Sequence, residues 1–377
     1  MKKNRKKILA ALLTAVLLLT LSPATALRAE AAPNAADKKA CWISFLDIEE
    51  TLQDKSEQEF TQKLSSMYDN VARYGMNTVI VHVRAMGDAM YPSDYYPWSA
   101  SLSTDRSHPG YDPLQIMVNL AHQKNLQFEA WINPYRLSRD NKSTASFKAT
   151  PFYEQFRPYT IEYKAPGGQI CLALDPARKE TKDLITNGIR EIVRKYDVDG
   201  IHFDDYFYVP GMADHLDITS KKANVNALIL QVYQAIKSAK PACTFGISPA
   251  GNPDNARAQG ADIDTWLSAS GYIDYIMPQI YWTDIYVTSS GVKQMFTDRC
   301  SAWVQINKKQ LPMYVGLALY RVGTSSKTDQ GWATSSTNLA YQYVTAKQLG
   351  YSGYALFRYQ WLEKTIAAEE LNHLKNY

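Results

Sequence analysis

Two carboxylic acids stand side by side at the end of an apolar segment in the middle of the chain. Residues 199–206 read DGIHFDDY, so Asp204 and Asp205 follow residues that suit a buried strand. Side chains alternate along a strand, and we therefore expect His202 and Asp204 to share one face while Asp205 takes the other. If His202 and Asp204 face the axis of a barrel, Asp204 lies at its mouth.

A carboxylate at a buried strand end needs an explanation, because its desolvation is costly unless it is paired or hydrogen-bonded. One explanation is a structural ion pair, for instance with Arg84 or Arg358 from other strand ends. The other is catalysis, because the carboxyl ends of barrel strands carry the active sites of that architecture. Two consecutive acids at this position favour catalysis.

A second polar segment, FEAWINPYR at residues 128–136, offers partners for the pair. Period-two alternation places Glu129, Trp131 and Asn133 on one face. Trp131 and Asn133 suit a rim that binds substrate. Glu129 lies deeper in the strand and is either a catalytic acid or a counter-charge for a basic side chain inside the barrel: His82, Arg84 or His202.

Other strand ends carry amides, carboxylates, arginines and flat rings. This mixture suits sugars, because aromatic rings stack on the C–H face of a pyranose while polar side chains bind its hydroxyls. The residues that we predict to contact substrate are Arg84, Asp88, Trp98, Trp131, Asn133, Tyr135, Arg136, His202, Tyr206, Asn252, Gln279, Tyr281, Trp282 and Arg358.

Cleavage of a glycosidic bond requires two carboxyl groups, one protonated and one ionised. The minimal assignment makes Asp204 the ionised nucleophile or base and gives the proton to Asp205 or Glu129. The chain has no G-x-S-x-G or H-E-x-x-H motif, so a serine triad or a zinc protease site is not indicated. A metal held by His82, His202 and Asp204 is a weaker alternative, and we expect no cofactor.

The elements that position these residues repeat along the chain. Apolar, strand-like segments alternate with amphipathic helical ones, which is typical of a parallel sheet buried on both faces. Eight such units and no G-x-G-x-x-G motif predict a (β/α)8 barrel rather than a dinucleotide-binding sheet. The predicted strands are 40–46, 77–84, 126–132, 199–203, 243–248, 273–280, 312–319 and 353–358.

The first 31 residues have the layout of a secretory signal peptide: a KKNRKK start, an apolar run over 8–21 and a small-residue cleavage site. The apolar run is too short to span a membrane. We therefore expect a leader at 1–31, a short linker at 32–39 and one barrel at 40–377, exported to the envelope or the medium, with no membrane span after cleavage.

The distribution of charge along the chain bears on which molecules the protein can bind. Six of the 41 basic residues precede residue 32, and the remaining body is close to neutral. Such a body supplies no phosphate-binding surface, so nucleic acid is a poor partner.

We expect Cys41 and Cys243 to be small buried residues rather than halves of a disulfide.

Motifs spread over residues 40–360 resemble the glycosyl hydrolase-like 10 family of bacterial envelope proteins. They are NTVIVHVR at 77–84, GDAMYPS at 87–93, AWINPYR at 130–136, DGIHFDDY at 199–206, GISP at 246–249 and IMPQIYW at 276–282. The resemblance implies a (β/α)8 barrel that hydrolyses peptidoglycan glycan strands, particularly strands stripped of stem peptides. It also implies that Asp204 and Asp205 are the acidic pair. The implied cleft residues are Arg84, Asp88, Trp131, Asn133, Arg136, Gln279, Tyr281 and Trp282.

The leading hypothesis is thus a secreted glycoside hydrolase that acts on cell-wall glycan. A barrel that binds wall polysaccharide without cleaving it would need the same cleft. A metal-dependent polysaccharide hydrolase or deacetylase is the third alternative.

Overall fold

The computed structural model describes residues 37–377, and the expected leader and residues 32–36 of the expected linker lie outside that range. Its main sheet has eight parallel strands, which we number β1 to β8. They are β1 (Lys38–Ile43), β2 (Thr78–Arg84), β3 (Gln127–Ile132), β4 (Gly200–Phe203), β5 (Thr244–Ile247), β6 (Tyr275–Ile276), β7 (Val315–Leu317) and β8 (Gly353–Leu356). Because β1 begins at Lys38, the expected boundary at residue 40 falls inside a strand.

The sheet closes on itself. Its strands are hydrogen-bonded in the order β7-β8-β1-β2-β3-β4-β5-β6. The two ends of that order are joined by main-chain bridges between Ile276 and Met313 and between Gln279 and Gly316. The amide nitrogen of Gly316 donates to the carbonyl of Pro278 over 2.9 Å across this seam. The predicted (β/α)8 barrel is therefore confirmed.

Helices follow the strands and cover the outside of the barrel. They are α1 (Phe45–Thr51), α2 (Glu57–Arg73), α3 (Pro113–Gln123), α4 (Asn141–Lys148), α5 (Pro151–Phe156), α6 (Lys179–Lys195), α7 (Ile218–Ala239), α8 (Pro253–Ala258), α9 (Ile263–Trp266), α10 (Met295–Ile306), α11 (Gly331–Thr334), α12 (Asn338–Gln348) and α13 (Ala368–Lys375). Short 3-10 turns occupy Arg157–Tyr159, Leu319–Arg321, Tyr359–Glu363 and Thr365–Ala367. In α2, Ser56 and Glu59 form the reciprocal cap that the sequence indicates.

Two hairpins interrupt the alternation of strands and helices. One pairs Thr160–Lys164 with Ile170–Leu174, and the other pairs Tyr286–Thr288 with Gly291–Lys293. The first lies in the long connection after β3, where the sequence predicts functional residues but no strand. We call it the 160–174 hairpin.

A bulge in β2 changes the direction of one predicted site residue. His82 pairs with Trp131 of β3, whereas Arg84 pairs with the next residue, Ile132, because the register shifts between them. Strict alternation would place His82 and Arg84 on the same face of the strand. Because of the bulge, the two side chains lie on different faces. The Arg84 guanidinium lies over the ring of Tyr96 at 4.7 Å.

The barrel interior holds a chain of hydrogen bonds. The Trp42 indole donates to His202 Nε2 over 3.3 Å, so His202 carries its proton on Nδ1, which lies 2.7 Å from the Tyr275 hydroxyl. That hydroxyl contacts Glu129, which is also bonded to Lys38. Every charged group in this chain has a partner, as buried charges require.

All four cysteines are buried and unpaired, which confirms the expectation for Cys41 and Cys243. Burial raises the pKa of the Cys41, Cys243 and Cys300 thiols. Within residues 37–377, no helix is both long enough and apolar enough to cross a membrane.

Candidate active site

A cavity of about 620 Å³ opens where the barrel strands end. Most strands contribute a residue at or just past their carboxyl end, as in other barrels of this class. Its lining comprises Trp42, Ser44, Phe45, Leu46, His82, Trp131, Arg136, Ser138, Arg139, Tyr163, Ala165, Pro166, Cys171, Asp204, Asp205, Tyr206, Val209, Pro210, Ser248, Gln259, Gln279, Tyr281 and Phe357.

Asp204 and Asp205 both reach this cavity. The Asp204 side chain is buried, with 3% of its surface exposed, and accepts hydrogen bonds from the Trp131 indole (3.2 Å) and the Tyr206 amide (3.3 Å). Asp205 is partly exposed and accepts a hydrogen bond from Gln279 Nε2 over 3.3 Å. The two carboxyl groups therefore lean toward different strands, Asp204 toward β3 and Asp205 toward the end of β6.

Neither acid forms an ion pair with a described residue. Among the described residues, no lysine, arginine or histidine nitrogen lies within 4 Å of either carboxylate. Arg358 instead bonds to Asp47 over 2.9 Å, and Arg84 donates to the carbonyl of Pro134 over 3.1 Å. The alternative of a structural ion pair with Arg84 or Arg358 is therefore wrong, because both arginines are engaged elsewhere.

Burial raises the pKa of both acids. The pKa of Asp204 is raised to about 7, first by burial and further by the charge of Asp205, while the positive charge of Arg136 acts in the opposite direction. The pKa of Asp205 is also raised by burial, and its hydrogen bond from Gln279 offsets part of the effect. Two interacting carboxyls of this kind titrate as a pair, and one proton stays on the pair near neutral pH.

Aromatic and basic side chains surround the acids. Trp131 stacks on His82 with 3.3 Å between ring centroids, and Tyr281 stacks on Phe357 at 5.9 Å. The guanidinium of Arg136 lies over the ring of Tyr206 at 4.4 Å. Flat rings beside a carboxyl pair are the combination that we expected for a sugar site.

The predicted residues that line the cavity are Asp204, Asp205, Trp131, Arg136, Tyr206, Gln279 and Tyr281. Three others lie behind the cavity wall and hydrogen-bond to residues that line it: Asn133 to His82, His202 to Trp42 and Arg358 to Ser44. Trp282 lies in a smaller adjoining cleft.

Several predicted contacts have other positions. Arg106 Nη1 donates to the carbonyl of Trp98 over 3.1 Å and lies 3.5 Å from Asp88. Trp98 and Asp88 therefore take part in contacts within the loop after β2. Asn252 caps helix α8, and the buried Tyr135 lies outside the cavity lining. These side chains do not reach the cavity, because local capping and packing contacts hold them elsewhere.

Glu129 also lies outside the cavity. It is 2% exposed and bonds to Lys38 and the Tyr275 hydroxyl inside the barrel. This placement agrees with the counter-charge alternative: Lys38 pairs with Glu129, and Nδ1 of His202, one of the basic residues that the sequence suggests, lies 3.8 Å from it. Asp205 is thus the acid that the structure brings next to Asp204.

The weaker alternative of a metal held by His82, His202 and Asp204 does not fit the ring contacts. His82 Nδ1 accepts from the Phe45 amide (3.1 Å), and its Nε2 lies 2.6 Å from Asn133 Oδ1. Both nitrogens of His202 are likewise used inside the barrel. Neither ring has a lone pair left for a metal, and no other group of His, Cys, Asp and Glu in residues 37–377 could hold one.

Sequence reasoning missed much of the cavity wall. The 160–174 hairpin supplies Tyr163, Ala165, Pro166 and Cys171. The alternating segment TIEYK and the apolar segment ICLAL, on either side of a Gly-Gly turn, are a hairpin signal that was available in the sequence. Trp42 lies within β1, whereas Phe45 and Phe357 follow strands, and nothing in their local sequence distinguishes these three apolar residues from core.

The fold and site together define the class. A closed (β/α)8 barrel with paired carboxyls and aromatic rings at its carboxyl-terminal mouth is a glycoside hydrolase-type barrel. The chain belongs to the glycosyl hydrolase-like 10 family, whose model matches residues 38–220 and 210–334.

Two relatives illustrate the likeness in sequence. The chain is 34% identical over 333 residues to "Glycosyl hydrolase YngK" of Bacillus subtilis (strain 168), covering 78% of this chain and 62% of YngK. It therefore spans less than two thirds of that relative. It is 31% identical over 363 residues to "Glycosyl hydrolase DigH" of Escherichia coli (strain K12), covering 84% of this chain and 79% of DigH.

Solved structures share the fold. The glycoside hydrolase domain of PgaB (BpsB) from Bordetella bronchiseptica superposes with a TM-score of 0.60 at 12% identity, covering 90% of this chain and 98% of that domain. The endo-1,4-beta-mannanase from Rhizomucor miehei gives a TM-score of 0.56 at 10% identity, with 90% and 94% covered.

Proposed function

We propose that this protein is a secreted glycoside hydrolase that cleaves cell-wall glycan, and that its substrate is peptidoglycan strands lacking stem peptides. The observation that carries the proposal is the pair Asp204 and Asp205, which share one cavity, hold a proton near neutral pH and have no ion-pair partner within 4 Å among the described residues. Export through the leader at 1–31 would bring the enzyme to the wall.

Burial favours a definite division of roles. Asp204 is the more deeply buried acid and keeps its proton to about pH 7, so it serves as the acid that protonates the leaving oxygen. Asp205, partly exposed and held by Gln279, serves as the ionised group that stabilises or attacks the sugar carbon. This reverses the assignment made from the sequence, which could not weigh the burial of the two side chains.

The test uses purified full chain and glycan strands that an amidase has stripped of stem peptides. Wild type should release new reducing ends, and mass analysis of the products identifies the bond. Asp204→Asn and Asp205→Asn should each lower the rate about 100- to 10,000-fold, the usual contribution of such groups. Glu50→Gln, an exposed acid on α1, is the matched control and should keep the wild-type rate.

An aryl glycoside with a good leaving group separates the two roles, because it needs no protonation. On that substrate Asp204→Asn should lose much less activity than it loses on glycan strands, whereas Asp205→Asn should remain inactive. The opposite pattern would exchange the roles.

Other outcomes would overturn the proposal. Binding of wall glycan with no release of reducing ends by wild type would identify a non-catalytic binding barrel. Activity that a chelator abolishes and zinc restores would identify a metal-dependent hydrolase. Recovery of the chain from the cytoplasm with residues 1–31 still attached would contradict export.

A further inference from the structure

Arg136 has an unusual electrostatic position in the cavity wall. Its side chain is only 8% exposed, yet no carboxylate among residues 37–377 lies within 4 Å of its nitrogens. Its Nε donates to the carbonyl of Ala85 over 3.0 Å, and its guanidinium also interacts with the Tyr206 hydroxyl. The two terminal nitrogens, which form the fork that binds carboxylates, therefore have no anionic partner among these residues.

The rest of the contact is aromatic. The Arg136 guanidinium lies over Tyr206 at 4.4 Å and over Phe45 at 5.4 Å, and Arg139 lies over the same Phe45 ring at 5.1 Å. These rings hold the guanidinium plane in place but cannot neutralise its charge. Arg139 also lines the cavity and is partly engaged by Asp140 at 3.4 Å.

A buried guanidinium keeps its charge at every accessible pH, so its desolvation is normally balanced by an anion. The acid pair does not provide that balance, since neither acid lies within 4 Å of the guanidinium. The field of Arg136 nevertheless reaches both acids, because its charge lowers their pKa values against the effect of burial. An anion bound at Arg136 would therefore lie close to the sugar linkage that is cleaved between the two acids.

We propose that Arg136, with Arg139 beside it, binds a carboxylate carried by the substrate, so that the enzyme selects an acidic glycan. This inference rests on the proposed function and gives it a chemical basis. When a stem peptide is removed from a wall glycan strand, the lactyl group on the sugar becomes a free carboxylate. While the peptide is attached, the same group is a neutral amide, which cannot pair with a buried guanidinium.

The experiment compares two substrates that differ only in this charge. One is the stripped strand, and the other is the same strand after its lactyl carboxylates have been coupled to methylamine. Wild type should prefer the carboxylate strand in kcat/KM by about 10- to 100-fold, the range expected for a charge-assisted pair. Arg136→Met should bring that ratio close to one, and Arg136→Lys, which keeps the charge but loses the fork, should give an intermediate ratio.

The ratio is the readout because Arg136 also influences the acids, and a change in overall rate would not separate the two effects. Arg157→Met removes an exposed arginine outside the cavity and should keep the wild-type ratio. Thermal unfolding of each variant establishes that it is folded. Where a variant is too slow to assay, calorimetric affinity for the two strands in an Asp205→Asn background gives the same ratio.

The outcomes distinguish this inference from the proposed function. Equal cleavage of both strands by wild type, or an equal loss on both in Arg136→Met, would overturn carboxylate recognition and leave the hydrolase intact. Cleavage of neither strand by wild type would overturn the proposed function. In that case a calorimetric preference for the carboxylate strand would support the inference, and no preference would overturn it.

Discussion

At the scale of single residues, the site depends on what surrounds two ordinary aspartates. Asp204 receives hydrogen bonds from Trp131 and from the backbone of Tyr206, but no cation contacts it among residues 37–377. Burial without a cation disfavours the ionised form and raises the pKa. The same burial that would keep Asp204 protonated for the proposed catalysis must therefore reduce the stability of the folded protein at higher pH.

Substitution of Asp204 should accordingly stabilise the protein at alkaline pH. Between the ordinary pKa of 3.8 and the folded value of about 7, the folded state retains a proton that the unfolded state releases, so stability falls as pH rises through this window. Each unit of pKa shift corresponds to about 1.4 kcal/mol. Asp204→Asn should exceed wild type in the free energy of unfolding by roughly 1–3 kcal/mol at pH 8, with the difference shrinking toward pH 4.

Denaturant unfolding at pH 4, 6 and 8 measures this difference. Glu50→Gln, an exposed acid, should show no comparable gain at pH 8. A gain of equal size at pH 4 and pH 8 would mean that the amide improves packing and that Asp204 ionises freely.

At the scale of elements, one carboxylate fixes the start of α1 against the end of the barrel. Asp47 accepts hydrogen bonds from the Ser44 amide (2.7 Å) and the Gln360 amide (2.9 Å) and pairs with Arg358 at 2.9 Å. Ser44 and the neighbouring Phe45 both line the cavity. The capping box of a short helix thus positions part of the site.

Removal of this carboxylate should be costly. Asp47→Ala would leave Arg358 without its charged partner and would remove the reciprocal half of the capping box of α1, and we expect a loss of about 3 kcal/mol in the free energy of unfolding. Glu49→Ala, on the exposed side of the same helix, should change stability by less than about 0.5 kcal/mol. Denaturant titration of both variants provides the measurement. Equal stabilities of the two variants would show that the contacts of Asp47 do not stabilise the fold.

At the scale of the whole molecule, the acids lie between two spaces. A cleft of about 280 Å³ shares Asp205, Gln279 and Tyr281 with the main cavity and continues to Trp282 and Tyr320. A strand bound across both would have sugars on each side of the acid pair. This shape suits cleavage within a long glycan rather than removal of units from its end.

We therefore expect early digests of long strands to contain fragments of many lengths. Trp282→Ala should raise KM for long strands about 2- to 10-fold, the range of one lost aromatic contact, with a smaller effect on short oligosaccharides. Tyr377→Ala, an exposed aromatic outside both spaces, is the control. Chromatography of the products is decisive, since release of a single short product from the outset would contradict cleavage within the strand.

The sequence by itself determined the barrel and the position of the acid pair. Eight buried strands alternating with amphipathic helices permit few other architectures, and two acids at a strand end must lie at the mouth of a parallel barrel. Alternation also placed Trp131 on the same face as Glu129, and Asp204 on the same face as His202. These features depend on local pattern, which a single chain displays directly.

Tertiary structure decided the remaining features. The bulge in β2 turned Arg84 toward Tyr96, and contacts with Lys38 and Tyr275 kept Glu129 inside the barrel. The deeper burial of Asp204, compared with the partly exposed Asp205, is the basis of our proposal that Asp204 holds the proton. Desolvation and pairing are sums over neighbours that are distant in sequence, so the order of residues along one strand cannot specify them.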